Sequence, residues 1–116
     1  MALNIRVHTV VGVTTKENLF DYLGGVYLSP DFDYGMNSLW DLRKADLSSF
    51  ALPEVVLVRD FVEKNLDKPK ALKSALVVAS QLDFTLATMY ETLLKKSAVS
   101  TKVFFDVDDA KKWVVS

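Results

Sequence analysis

The first hydrophobic pattern in the chain has a period of two. Ile5, Val7, Thr9, Val11 and Val13 alternate with Arg6, His8 and Gly12, and β-branched residues at every second position mark a half-buried strand. The second face carries charge, so the pattern predicts a strand near a sheet edge or under partial cover. Thr14 and Glu17 follow at capping-box spacing. Leu19, Leu23, Val26 and Tyr27 then recur at helical period. Gly24-Gly25 falls inside that stripe, and each glycine costs about 1 kcal/mol relative to alanine in a helix. A bend, an early end or a close backbone approach is expected there.

Ser29 to Gly35 reads as a loop by its Ser, Pro, Asp and Gly content. Ser38 to Leu42 reads as a short second strand, with Asp41 near its carboxyl end. Pro53 suits the first turn of a helix, where a missing N–H costs little, and Val55, Val58, Phe61, Val62 and Leu66 form its apolar stripe. Asp67-Lys68-Pro69-Lys70 breaks the chain. Ala75 to Ala79 is a short, continuous apolar run with paired valines, which predicts a central strand buried on both faces. Ser80 and Asp83 cap a helix carrying Leu82, Leu86, Met89, Tyr90 and Leu93, closed by Lys95 and Lys96. Lys102 to Phe105 is a fourth strand. Asp106 caps a last helix bearing Ala110, Trp113 and Val114.

Four strand–helix pairs in alternation predict an α/β domain: a single open, mostly parallel sheet of four to five strands flanked by helices. At 116 residues the chain fits one domain, spanning 1–116. It has no cysteine, which removes thiol chemistry, disulfides and cysteine-ligated zinc. Its formal net charge is −1 with both signs interspersed, which argues against a nucleic-acid partner. No apolar stretch approaches the roughly 20 residues of a membrane span, and Met1 to Arg6 lacks the layout of a signal peptide. The expected compartment is the cytoplasm.

Chemistry is sparse. Phosphate-cradling glycine loops and the G-x-S-x-G elbow are missing. His8 is the one histidine, and a solvent-facing or edge-strand position is expected for it. Asp31 and Asp33, with Gly35 and Asn37, hint at a calcium loop but lack its ligand spacing; a plain turn is the simpler reading. Asp106, Asp108 and Asp109 read as a helix cap. Lys64, Lys68, Lys70 and Lys73 form a loose basic run suited to solvent or to an anionic partner. No metal or other cofactor is expected. The stretch Asp41 to Ser48 draws the eye, because ligands of open α/β sheets bind beyond the carboxyl ends of the strands. Asp41, Arg43 and Asp46 are therefore candidates for a ligand or partner surface. The alternative is that Asp41 and Arg43 pair with each other or with loop backbone.

Several stretches together resemble the SpoIIAA-like group of small bacterial proteins, described as STAS/Sec14-related domains. They are Val11-Gly12-Val13-Thr14; Ser29-Pro30-Asp31-Phe32 before Gly35; Leu39-Trp40-Asp41-Leu42-Arg43-Lys44-Ala45-Asp46; Ala75-Leu76-Val77-Val78; and Val103-Phe104-Phe105-Asp106 with Ala110 and Trp113. The resemblance implies an open sheet flanked by helices, and a non-enzymatic regulator that binds partner proteins. In the related anti-sigma-factor antagonists a serine of an Asp-Ser-Ser-Gly stretch is phosphorylated. Here Ser48-Ser49 follows Asp46-Leu47, with Phe50-Ala51 in place of the glycine, so Ser48 and Ser49 are the phosphorylation candidates the resemblance implies.

Three functions follow as expectations. The first is a non-catalytic regulatory or protein-interaction domain, with a protein partner or self-association. The second is a module for a small apolar ligand or lipid, its cleft lined by Phe32, Tyr34, Trp40, Phe84 and Tyr90. The third is an enzyme using Asp41, Arg43 or Asp46.

Overall fold

The computed structural model describes residues 5–27, 36–65, 72–94 and 99–115. Strands and helices alternate strictly: β1 (Ile5–Val13), α1 (Lys16–Tyr27), β2 (Asn37–Asp46), α2 (Leu52–Asn65), β3 (Leu72–Val77), α3 (Gln81–Leu93), β4 (Val99–Phe104) and α4 (Val107–Val114). The four strands form one parallel sheet in the order β1-β2-β3-β4. The chain is thus α/β with an open, all-parallel sheet, as the alternation of patterns predicts. β1 runs in the same direction as the others and lies at one edge.

Sequential parallel strands need a crossover between each pair, and crossovers of one hand place their helices on one face. Residues of α1, α2 and α3 accordingly share one core. Leu23, Val62 and Ala87 pack there with Trp40 of β2, Leu76 of β3, Val78, and Val99 and Val103 of β4. α4 covers the opposite face. Its Ala110 and Val114 pack on Leu39, Ala75 and Val77, and all five are fully buried. Neighbouring residues such as Leu39 and Trp40, or Ala75 and Leu76, enter different cores because side chains alternate across a strand. The valine-rich run of β3 is central, and Ala75, Leu76, Val77 and Val78 are all buried. Two-sided burial explains why that run carries no polar alternation.

α4 is pinned at both ends. The Asp106 carboxylate accepts the N–H groups of Asp108 (2.7 Å) and Asp109 (3.2 Å), satisfying donors the helix leaves free. At the other end the Asn37 amide donates to the Val114 carbonyl (2.9 Å), and its oxygen accepts the Lys73 N–H (2.8 Å). The Lys73 ammonium reaches the Trp113 carbonyl (3.3 Å) and lies over the indole ring. Positive charge at a helix C-terminus is favourable. Two residues of the suspected calcium loop and basic run, Asn37 and Lys73, are therefore clamps between β2, β3 and α4.

Local details depart from the sequence expectations. The cap of α1 is Thr15, whose hydroxyl accepts the Asn18 N–H, while Thr14 is buried with its hydroxyl donating to the Gly12 carbonyl. α1 runs straight through Gly24 and Gly25, and neither meets another group closely. β2 extends to Asp46, well beyond Leu42. On α3, Leu82 is 74% exposed and Ala87 is the buried contact instead. Ser80 does cap α3, accepting the Asp83 N–H at 3.1 Å. Leu66, Asp67, Lys68, Pro69, Lys70, Lys95, Lys96 and the loop 29–35 lie outside the described residues.

The largest departure concerns β1. Its aliphatic face is the open one: Val7, Val11 and Val13 are 56%, 66% and 69% exposed. α4 packs mainly on β2, β3 and β4; Ile5 at the start of β1 joins that core, while Val7, Val11 and Val13 beyond it stay open. The other face of β1 is the covered one, with His8 buried beneath α1 and Val10 packed against the larger core.

Candidate binding surfaces

The candidates on β2 and after it do not converge. Thr9 pairs with Asp41 and Val11 with Lys44, so β2 carries one extra residue between those pairs. Beside this bulge Arg43, two residues further on, meets Asp41. The Arg43 guanidinium donates to both carboxylate oxygens, at 2.9 and 2.8 Å, and the Arg43 N–H adds a third bond to the same carboxylate at 3.2 Å. The guanidinium holds the Asp41 carboxyl below the usual carboxylate range, and the carboxylate in turn raises the Arg43 pKa, with Asp106 adding a smaller attraction. Asp41 lies within the strand rather than beyond its end, and its charge is matched by its neighbour. This is the self-paired alternative.

Asp46 stands apart. Its carboxylate accepts the Ser48 N–H at 3.0 Å, and hydrogen bonds from Ser48 hold its pKa below the ordinary value. Ser49 donates its hydroxyl to the Thr14 carbonyl (2.9 Å), tying the turn to the end of β1. Both serines are exposed in a turn ahead of Leu52. The cap of α2 is Ala51, whose N–H donates to Glu54 at 2.8 Å. A phosphate on either serine would thus lie outside the first turn of α2 and beside the Asp46 carboxylate. Among the described residues no cluster of His, Asp and Glu is arranged to hold a metal ion. Asp31, Asp33, Phe32, Tyr34 and Gly35 lie outside the described residues.

His8 is 93% shielded by the sum of its neighbours, at 7% exposure. Its ring stacks on Trp40 (4.1 Å between centroids, 22°), and its Nδ1 lies 2.7 Å from the Tyr22 hydroxyl. Nε2 is buried with no hydrogen-bond partner. Burial, aided by the nearby Arg6 charge, depresses the His8 pKa to about 4. Partial burial pushes the Tyr22 hydroxyl up. A neutral imidazole wedged between an indole and a phenol packs β1 onto β2 and α1.

Two further surfaces stand out, the first of them including Trp40 and Tyr90 of the expected apolar cleft. One is an apolar cavity of about 130 Å³ between the sheet and α1, α2 and α3. Trp40, Leu42 and Leu76 form its floor, Val58 and Tyr90 its roof, and Phe50 closes the carboxyl-end side. Phe84 does not reach it and stacks instead on Phe105 (4.7 Å, 11°). Ser38 and Ser74 lie side by side in register along its wall. The other surface is the bare valine face of β1. The signal for it was present as the alternation of Val7, Thr9, Val11 and Val13, but alternation marks two faces without saying which is covered.

Comparison with known proteins adds no identity: no protein-family model, no curated protein and no solved structure matches the chain.

Proposed function

We propose that this protein is a non-catalytic protein-interaction domain of the regulatory kind found among SpoIIAA-like relatives, and that it engages its partner through the open face of β1. One observation carries this reading. A parallel sheet ordinarily has both faces covered, yet Val7, Val11 and Val13, on the same face of β1 as the exposed Thr9, stand more than half exposed. Contiguous apolar surface of this sort marks interaction sites on soluble domains. The self-paired state of Asp41 and Arg43 supports the non-catalytic side, since it leaves no poised base or nucleophile there. Among the described residues no helix is long and apolar enough to cross a membrane, and the cytoplasm is the compartment proposed for this role.

A lysine at Val11 places a charge in the middle of the valine face without disturbing the core. Affinity capture from native lysate is expected to lose its specific partners with Val11→Lys and to keep them with Leu82→Lys, a charge at an equally open position on α3. Identical captures by both variants would remove the valine face from the function.

A second reading rests on the cavity. Its volume is close to the roughly 150 Å³ apolar cavities that admit benzene and falls short of the ~300 Å³ where cofactor-sized pockets begin. The occupant it suits is a single ring or a short hydrocarbon chain. Native mass spectrometry of freshly purified protein is expected to show such an adduct, and Ala87→Leu, which fills the space from α3, is expected to eliminate it. Only apo mass in the unmodified protein would reject this reading.

A further inference from the structure

Among the described residues the sheet ends in β1 on one side and β4 on the other, and these two edges are built differently. β4 is short, six residues, and carries Lys102 exposed on its outer side with the ammonium over the Phe104 ring. A short strand bearing lysine is a common guard against edge pairing. β1 is nine residues long, and its outer face, Val7, Thr9, Val11 and Val13, has neither charge nor proline. An unguarded edge of that length pairs with another strand unless something covers it.

The sequence of β1 indicates which strand. A two-fold interface requires a segment complementary to itself. Laid antiparallel on a copy of itself about an axis through Thr9, β1 sets Val7 against Val11 of the second copy and Thr9 against Thr9. Each outward pair is β-branched on β-branched, the pairing sheets favour. Arg6 meets Gly12 of the second copy, which has no side chain, rather than the other Arg6, so no like charges face each other. Gly12 adopts φ +86 yet stays in the strand, paired with Ala45 of β2, and its missing side chain leaves room for Arg6 of the second copy. Moving the axis two residues to Val7 cuts the overlap short and puts Arg6 opposite His8; moving it to Val11 runs the overlap past Gly12 into Thr14 and Thr15.

We propose that β1 pairs antiparallel with β1 of a second copy of this chain, about a two-fold axis at Thr9. The two sheets then join into one of eight strands, and the valines of both copies merge into a single patch on the side that α4 leaves open. The proposal rests on the protein-interaction reading and adds to it: a second copy takes the edge of β1, and the merged valine face stays open to the partner.

The absence of cysteine makes the geometry directly testable. Across the axis the Thr9 Cα atoms would stand about 4.5–5.5 Å apart, inside the roughly 4.4–6.8 Å that a disulfide spans. Val7 and its own counterpart would be four positions apart along the strands, roughly 13–14 Å, and out of reach. Under mild oxidation Thr9→Cys is expected to form a covalent dimer, Val7→Cys alone and Val11→Cys alone are expected to remain uncoupled, and a mixture of those two is expected to couple. All three positions are exposed, and a circular-dichroism melt verifies folding. Sedimentation of the unmodified chain is expected to show twice its 13.0 kDa mass. A 13.0 kDa species at every soluble concentration overturns the proposal, as does equal coupling of Thr9→Cys and Val7→Cys. In that event, a different protein captured through Val11 would leave the interaction reading standing, whereas no capture at all would remove both.

Discussion

Leu39→Ala is expected to lower the unfolding free energy by about 2–5 kcal/mol, the range for emptying a fully buried leucine site. Leu39 has no exposure and lies at the centre of the smaller core, between the strands and α4. The neighbours that would have to close the gap, Ala75, Val77, Ala110 and Val114, are themselves fully buried and held by α4, whose two ends are pinned. A domain of this size has a total stability of roughly 5–15 kcal/mol, so the variant forfeits a large share of it. Val7→Ala, on the same side of the sheet but beyond the reach of α4, is expected to change stability by no more than about 0.5 kcal/mol. Urea unfolding distinguishes the two by a shift of midpoint at constant slope. Equal effects at Leu39 and Val7 would mean that α4 does not divide the covered half of this face from the bare one.

The second large effect is on acid stability. His8 titrates at about 4 in the folded protein against an ordinary value of 6.5. Its folded pKa is depressed, so the unfolded chain takes up the proton first as pH falls. The stability due to neutral His8 is complete above about pH 6.5, declines below it, and is gone near pH 4. At about pH 5 the loss amounts to roughly 2 kcal/mol. The cause is physical: burial penalises the charged ring, the nearby charge of Arg6 adds to the penalty, and Nε2 has no hydrogen-bond partner to offset it. His8→Phe retains a ring on Trp40 and has no proton to gain. Its stability is expected to stay level between about pH 7 and about pH 5, a window chosen to stay above the range where Asp41 and Asp46 lose their own stabilisation. Parallel pH profiles for His8→Phe and the unmodified protein would show that His8 is solvated rather than enclosed.

The sequence marked every strand and helix because each carries a local pattern: two-residue alternation in β1, an unbroken apolar run in β3, helical stripes in α1 to α3, and an aspartate cap before α4. These signals are local, and so they could not rank the two faces of β1. Which face is covered depends on where α4 returns across the sheet, and α4 is eight residues long and packs mainly on β2, β3 and β4, with Ile5 the β1 residue that joins its core. The burial of His8 has the same origin, because its partners Trp40 and Tyr22 come from different elements and meet it only through the register of β1 with β2. The pairing of Asp41 with Arg43, by contrast, was open to the sequence, because residues two apart along a strand share a face. The acid–base cluster looked like a site in one dimension. In three it is a closed pair, and the open surface lies on β1.

Thiol labelling of single-cysteine variants, in a chain with no cysteine of its own, measures that openness at chosen points. At high dilution Val11→Cys is predicted to react with a water-soluble maleimide about as fast as an unfolded thiol, while Val77→Cys stays unlabelled until denaturant is added. Slow labelling at position 11, matching that at position 77, would mean something in the folded chain covers β1, and the binding surface described here would not exist.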